Sequence, residues 1–194
     1  MDGRLSQKSI SKAFPVNISL QIAEFIMLAA IGALGVLLHA YFRIPLRFPG
    51  HHGFIYMGLL ISGRLLSNKK YASSLSAIGS ACMLLFPLGF KDPFIPVIYL
   101  FPGFIVDIFY ARLKSLQPKI IILALICGLA YTIIPFTRIF ITLVTGFPYG
   151  SLLRACLTAK QGFIYPLVMH FIFGFSGGLA ASGVFSLFRK KKIA

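Results

Sequence analysis

Six long apolar stretches, separated by short connections, occupy nearly the whole of this sequence. They run roughly over 17–41, 53–67, 71–89, 93–113, 119–145 and 161–188. A helix needs about 20 apolar residues to cross the hydrocarbon core of a bilayer, and most of these stretches reach that length. Only 12% of the residues are charged, about half of the ~25% that is typical of soluble domains. The sequence therefore predicts an all-α integral membrane protein with six transmembrane helices.

The distribution of lysine and arginine predicts the orientation of these helices. Of the 19 such residues, 13 fall in the terminal segments and in the connections on their side, whereas 5 fall in the opposite connections. Cytoplasmic loops of membrane proteins carry the excess of Lys and Arg, so both termini are expected in the cytoplasm. The expected organisation is a cytoplasmic segment over 1–16, one six-helix membrane domain over 17–188 and a basic cytoplasmic tail over 189–194. Topology thus explains the net charge of +15, and no nucleic acid partner is expected.

Several classes of chemistry lack the residues they need. The three cysteines are scattered and form no CxxC pair, which argues against a disulfide framework or a zinc site. His51 and His52 are adjacent, but no Asp, Glu or Cys accompanies them to complete a metal site. There is no recognisable nucleophile motif and no Walker A loop. The sequence predicts a protein that is not an enzyme, holds no metal or cofactor, and cannot drive ATP-dependent transport alone.

The first connection on the outer side, 42-FRIPLRFPGHHG-53, is unusually rich in cationic and titratable groups. Together with the end of the preceding stretch it contains His39, Arg43, Arg47, His51 and His52. Arginine is disfavoured on the outer side of a membrane protein, so its presence there needs a reason. One interpretation is a solvated loop that contacts lipid headgroups. The other, which we favour, is a loop that lines or covers an outward-facing site for an anion.

Two further polar residues are expected to lie deep in the outer half of the membrane. Arg138 and His170 fall seven to nine residues from the outer ends of their stretches, which places them roughly 10–14 Å below the surface. An arginine at that depth costs at least ~2 kcal/mol and normally faces a bundle interior or a water-filled cavity. The intramembrane acids Glu24 and Asp107 lie nearer the inner ends. We therefore expect Arg138 to bind an anionic ligand, although a backbone carbonyl is the alternative partner.

Aromatic residues at similar depth are candidates for the walls of such a site, and these are Tyr131, Tyr149, Tyr165, Phe136 and Phe140. The predicted substrate-binding set is Arg43, Arg47, His51, His52, Tyr131, Arg138, Tyr165 and His170. The arginines suit a carboxylate, because a guanidinium can bind it with two parallel hydrogen bonds. Protonation of the histidines near their ordinary pKa of about 6.5 is expected to favour the anion.

The small-residue segment 29-AAIGA-33 completes a resemblance to a known family. With its length, its six predicted spans and its basic ends, the chain resembles the substrate-binding (S) component of an energy-coupling factor (ECF) vitamin transporter. The resemblance implies that Ala29 and Ala33, four residues apart, dock on a transmembrane coupling subunit that works with two ATPase subunits. It also implies a multi-pass protein of a bacterial plasma membrane, with a carboxylate-bearing vitamin or precursor bound beneath the first outer loop.

A second class of function remains open from the sequence. A non-transport membrane scaffold, such as a cell-shape protein of the MreD type, has a similar size and number of spans. Polar groups deep in the outer half favour the binding component, because a scaffold has no need for an arginine at that depth.

Overall fold

All regular elements of the described chain are helices. The computed structural model describes residues 18–41, 48–86, 88, 92–113, 119–147, 149 and 162–191. The helices are α1 (Ile18–Tyr41), α2 (Gly53–Leu66), α3 (Ala72–Leu85), α4 (Ile95–Ile98), α5 (Leu100–Arg112), α6 (Ile120–Thr145) and α7 (Ile164–Lys191). Their bounds lie within a few residues of the predicted stretches, with α4 and α5 together filling the fourth.

Four segments are long and apolar enough to cross a membrane, and these are Gln21–Tyr41, Ile95–Arg112, Ile120–Thr145 and Ile164–Phe188. The third of them is α6 itself, which runs through Pro135 and is followed by the left-handed Gly146. Helices α2 and α3 are also apolar but have 14 residues each, or about 21 Å against a hydrocarbon thickness of ~30 Å. The chain is thus an all-α membrane protein. Six crossings with both termini in the cytoplasm stay a prediction.

Small residues let several of the helices approach one another closely. A Cβ added at Gly178 of α7 would lie 2.6 Å from the Cβ of Cys127 in α6, and one at Gly174 would lie 2.9 Å from the Cys127 carbonyl oxygen. A Cβ at Gly79 of α3 would lie 2.1 Å from the carbonyl oxygen of Ala29 in α1. Such approach is typical of helices that pack in lipid, where van der Waals contact replaces the hydrophobic effect.

Helix α3 contains four serines in 14 residues and lies against α1, α2 and α5. Three of these serines use their hydroxyls within the bundle, and the exception is Ser73. Ser80 donates to the Gly32 carbonyl of α1 at 2.8 Å and lies 3.1 Å from the Ser76 carbonyl one turn earlier. Ser76 in turn bonds the Ala72 carbonyl at 3.2 Å. Because these hydroxyls have partners, their burial carries little desolvation penalty.

Contacts between helix ends show an up-and-down arrangement. The end of α1, the start of α2 and the start of α7 meet near the end of α6, at what we call the histidine end. At the other end, which we call the Asp107 end, the start of α1 contacts the residue after α2, and the start of α3 contacts the end of α5. Helix α1 therefore begins at the Asp107 end, and helix α7 ends there.

Candidate functional site

Polar and aromatic side chains from four parts of the chain meet at the histidine end. We call this group the histidine–arginine cluster, and it consists of His39, His51, His52, Tyr131, Arg138, Tyr149 and His170. Helix α1 supplies the first residue two positions before its end, and the turn before α2 supplies the next two. Helix α6 with the segment after it supplies Tyr131, Arg138 and Tyr149, and α7 supplies His170. The six-residue spacing of His170 from the start of α7 places it about 9 Å along that helix.

Three imidazole rings lie next to one another in the cluster, tilted by 39° to 47° between neighbours. The ring centroids of His39 and His52 are 3.8 Å apart, and those of His51 and His52 are also 3.8 Å apart. A tight turn holds the last two in place, because the Gly53 amide donates to the Gly50 carbonyl at 2.8 Å. The predicted loop histidines thus face one another and α1.

Two glycines are required where this turn lies on α6 and α7. Gly50 has a φ of +78°, a conformation that L side chains rarely adopt. A Cβ at this position would also lie 2.7 Å from Cγ and Nδ1 of His170. A Cβ at Gly53 would lie 2.1 Å from Cε1 of Tyr131. The turn therefore seats directly on the Tyr131–His170 pair.

Arg138 is the cation of the cluster. It lies seven residues before the end of α6, or about 10 Å along the helix, and its guanidinium carbon is 5.5 Å from the ring centroid of Tyr149. His39 and His170 are both within its electrostatic range. Its Nε is buried and has no hydrogen-bond partner. No carboxylate of the described residues forms an ion pair with it.

One acid, Asp92, acts on a tyrosine of the cluster. Burial, followed by the negative charge of Asp92, raises the pKa of Tyr149 to about 12. Asp92 and the guanidinium of Arg138 therefore both act on Tyr149. At neutral pH the tyrosine is uncharged, so it contributes a polar ring face and no compensating anion.

His52 corrects one expectation from the sequence. Burial, and then the neighbouring His51, lower the pKa of His52 from 6.5 to about 4. The ring is therefore neutral at pH 6.5, and the expected protonation near that pH is wrong for this histidine. Sequence reasoning missed the cause, because it did not foresee that the rings stack on one another.

A layer of buried tyrosines lies beneath the histidines. The Tyr131 ring stacks on that of His170 with centroids 5.0 Å apart, and it lies 6.2 Å from the ring of Tyr56. The Tyr56 hydroxyl donates to the Tyr99 carbonyl at 2.8 Å. Neither Tyr56 nor Tyr99 was singled out from the sequence, because only tertiary packing reveals them.

The structure brings together five of the eight predicted substrate-binding residues, and these are His51, His52, Tyr131, Arg138 and His170. Tyr165 is half-buried near the start of α7, and among the described residues no hydrogen bond or ring contact joins it to the cluster. Arg43 and Arg47 lie outside the described residues.

Two of the aromatic candidates for the walls of the site are wrong. Phe136 and Phe140 are 55% and 57% exposed, so they point away from the bundle on the outward face of α6. Tyr149, by contrast, is buried and lies in the cluster. The 3.6-residue period explains why these two phenylalanines face away from Arg138. Positions four apart share one helix face, and Arg138 lies on another.

A second polar cluster occupies the Asp107 end. Asp107 of α5 accepts hydrogen bonds from the backbone amides of Ser73 and Ser74 at the start of α3, at 3.2 and 2.7 Å, and from the Ser74 hydroxyl at 2.7 Å. Its carboxylate is 3.6 Å from the guanidinium of Arg64, which also lies over the Tyr110 ring at 4.3 Å. This end of the bundle lies away from Arg138, and its assignment to the inner side of the membrane stays a prediction.

The other acid at this end makes a more exposed pair. Glu24 accepts from the Ser67 hydroxyl at 2.5 Å and lies 3.5 Å from Nζ of Lys69. Both acids therefore have partners of their own at the Asp107 end. They are not available to Arg138, which lies at the histidine end.

The predicted docking face of α1 is partly used within the chain. Ala29 and Ala33 are both half-buried. The backbone of Ala29 lies directly against Gly79 of α3, whose added Cβ would be 2.6 Å from the Ala29 Cα. Whether the remaining surface of this face binds another subunit stays a prediction.

Comparison with known proteins adds no assignment. No protein-family model, no curated protein and no solved structure matches this chain. Within the described ranges, no group of three His, Cys, Asp or Glu is arranged to hold a metal ion. The chemistry of the histidine–arginine cluster is therefore interpreted from its own residues. These supply the guanidinium of Arg138, several imidazole nitrogens and a layer of tyrosine rings.

Proposed function

We propose that this protein is the membrane-embedded binding component for uptake of a vitamin-sized organic anion. In this proposal the ligand binds in the histidine–arginine cluster with its anionic group, a carboxylate, against Arg138. The chain would act as an S component of an ECF transporter, with a separate coupling subunit and two ATPase subunits supplying the energy. The available part of the Ala29–Ala33 face is the proposed docking surface for the coupling subunit.

The observation that carries the proposal is the state of Arg138. A guanidinium in a membrane helix is costly unless it is paired. Its Nε is buried without a hydrogen-bond partner, and no carboxylate within the described ranges forms an ion pair with it. Of the described acids, Glu24 and Asp107 are engaged at the opposite end of the bundle, and Asp92 acts on Tyr149 without forming an ion pair with Arg138. An external anion would supply the missing partner.

The surroundings of Arg138 support a small organic molecule as the source of that anion. The face of Tyr149 and the stacked Tyr131–His170 pair offer flat apolar surface beside the cation. Ligand sites generally combine such aromatic surface with a few well-placed polar groups. A packed scaffold would gain nothing from a half-buried cation that no carboxylate of the described residues neutralises.

Native mass spectrometry of the full-length chain, purified in detergent, tests the proposal. Wild-type protein should carry a bound small molecule with net negative charge. Loss of one partner of a buried charge pair costs ~2–5 kcal/mol, or roughly 30- to several thousand-fold in affinity. Arg138→Gln should therefore lose the molecule, whereas Arg112→Gln should retain it. Arg112 is a suitable control because it is an exposed helical arginine at the Asp107 end.

Two outcomes contradict the proposal. The first is a bound molecule that is a cation or that stays on the Arg138→Gln variant at wild-type occupancy. The second is wild-type protein that never carries a small molecule, which would favour the membrane scaffold instead.

A further inference from the structure

Two histidines of the cluster have the position of their hydrogen set by a backbone carbonyl. Nδ1 of His51 lies 2.7 Å from the carbonyl oxygen of Phe48, and Nδ1 of His170 lies 2.7 Å from that of Pro166. A carbonyl oxygen can only accept a hydrogen bond, so in both rings Nδ1 must be the donor. In a neutral imidazole the other nitrogen, Nε2, then has no hydrogen and is an acceptor.

Neither of these acceptor nitrogens has a donor from the described part of the chain. Nε2 of His51 is buried and has no hydrogen-bond partner. The only hydrogen bond of the His170 ring within those ranges is the one through Nδ1, and this residue is 7% exposed. Tyr131 meets His170 face to face, so it does not direct its hydroxyl at the ring edge. Buried polar atoms almost always have partners, so the unmatched Nε2 of His51 is unusual, and Nε2 of His170 is a second acceptor in the same cluster.

The two rings belong to one site. Gly50, which precedes His51, lies against His170 so closely that an added Cβ would be 2.7 Å from Nδ1 of that ring. His51 and His170 also lie within electrostatic range of each other, and Arg138 lies within range of His170. A molecule bound by Arg138 would therefore meet both histidines.

We propose that the ligand of this cluster carries N–H or O–H donors for Nε2 of His51 and Nε2 of His170, in addition to the anionic group for Arg138. The inference rests on the proposed function, since it takes the anion from there. It narrows the substrate class to carboxylates with hydroxyl, amide or ureido groups. Plain aliphatic carboxylates are excluded, because they would leave Nε2 of His51 buried and unpaired. Sites built to hydrogen-bond a substrate reject analogues that lack the polar group.

The tautomers can be measured without any ligand. Selective ¹⁵N labelling of histidine in the full-length, micelle-bound chain gives few signals, because the sequence has 4 histidines. His51→Gln and His170→Gln variants assign the two rings. We expect both to be neutral at pH 7.5 with hydrogen on Nδ1 and a bare Nε2. A hydrogen on Nε2 of both rings, in either the other tautomer or the imidazolium, would overturn the inference.

Binding of matched probes tests the substrate class. The probes are pantothenate and biotin, which bear hydroxyl, amide or ureido donors, and octanoate and nonanoate, which do not. Loss of a partner to a buried acceptor corresponds to roughly 5- to 150-fold in affinity. We expect the donor-bearing probes to be preferred by that factor. His51→Met should reduce the preference, and His51→Gln, which retains an acceptor oxygen at the end of its side chain, should restore most of it.

The outcomes separate the two proposals. If both kinds of probe bind equally and both are lost in Arg138→Gln, the anion site stands and the donor inference is refuted. If no carboxylate of either kind raises the melting temperature of the wild-type chain, the proposed function itself fails, whatever the histidine tautomers prove to be.

Discussion

Replacing Asp107 with Asn is the substitution whose effect on stability the structure defines best. The change keeps the size of the side chain and removes its charge. One carboxylate oxygen becomes an amide nitrogen, which can no longer accept from the amides of Ser73 or Ser74. At the same time Arg64 loses its anion. Both side chains are almost fully buried, with exposures of 8% for Arg64 and 5% for Asp107.

The magnitude follows from the two losses. Removing one partner of a buried ion pair costs ~3–5 kcal/mol, because an uncompensated charge is left behind. Asn retains one acceptor oxygen for the start of α3, so we expect a decrease of about 2–4 kcal/mol in the free energy of unfolding. Adding Arg64→Met should recover part of that loss, since no unpaired charge then remains.

Thermal unfolding in detergent micelles, followed by circular dichroism, measures these effects. Glu24→Gln is the matched control at the same end, because its pair with Lys69 is 27% to 31% exposed and exposed pairs contribute only ~0–1 kcal/mol. An Asp107→Asn variant that melts no lower than Glu24→Gln would refute this account of the Asp107 end. So would a double variant less stable than Asp107→Asn alone.

Two further predictions concern the histidine end. Gly50→Ala should destabilise the protein by more than Gly146→Ala in the same melting assay: both glycines have positive φ, but only at Gly50 would the new Cβ collide with a side chain, that of His170; equal effects would contradict the seating of the turn. The depressed pKa of His52, about 4 against 6.5 in the unfolded chain, means that the unfolded state binds more protons between these values. The contribution of His52 to the free energy of unfolding should therefore be fully present above about pH 6.5. It should be lost as the pH drops toward 4, by ~1–2 kcal/mol once the partial exposure of this ring is taken into account. His52→Gln should flatten that part of the pH profile of the melting temperature, and an unchanged profile would contradict the assignment.

The course of the chain could be predicted because hydrophobicity alone sets it. The expected fifth stretch, 119–145, differs from α6 by a residue at its start, since its apolar residues continue on both sides of Pro135 and Arg138 and Gly146 ends it. The ends of α2 and α3 are harder to predict from the sequence, because their glycines and serines interrupt the apolar signal. Their short length shows why counting apolar residues does not establish that each crosses a membrane.

The cluster could be predicted in membership better than in arrangement. Arg138 and His170 are conspicuous in apolar helices, so their presence in one cluster could be predicted from the sequence. The pairing of Arg64 with Asp107 was missed, because Arg64 looked like one more cytoplasmic loop cation. Likewise, nothing in a linear pattern indicates that Tyr56 lies on Tyr99, or that the ring of His52 lies between two other imidazoles.

The composition of α3 has a consequence for how the protein is made. With four buried serines and only 14 residues, this helix is a poor candidate for independent entry from the translocon into lipid. Its hydroxyl at Ser80 uses a carbonyl of α1, which is synthesised earlier, but its amino end relies on Asp107, which emerges from the ribosome later. Integration of α3 should therefore be completed only when α5 arrives, so that the first five helices enter the bilayer as one cooperative unit.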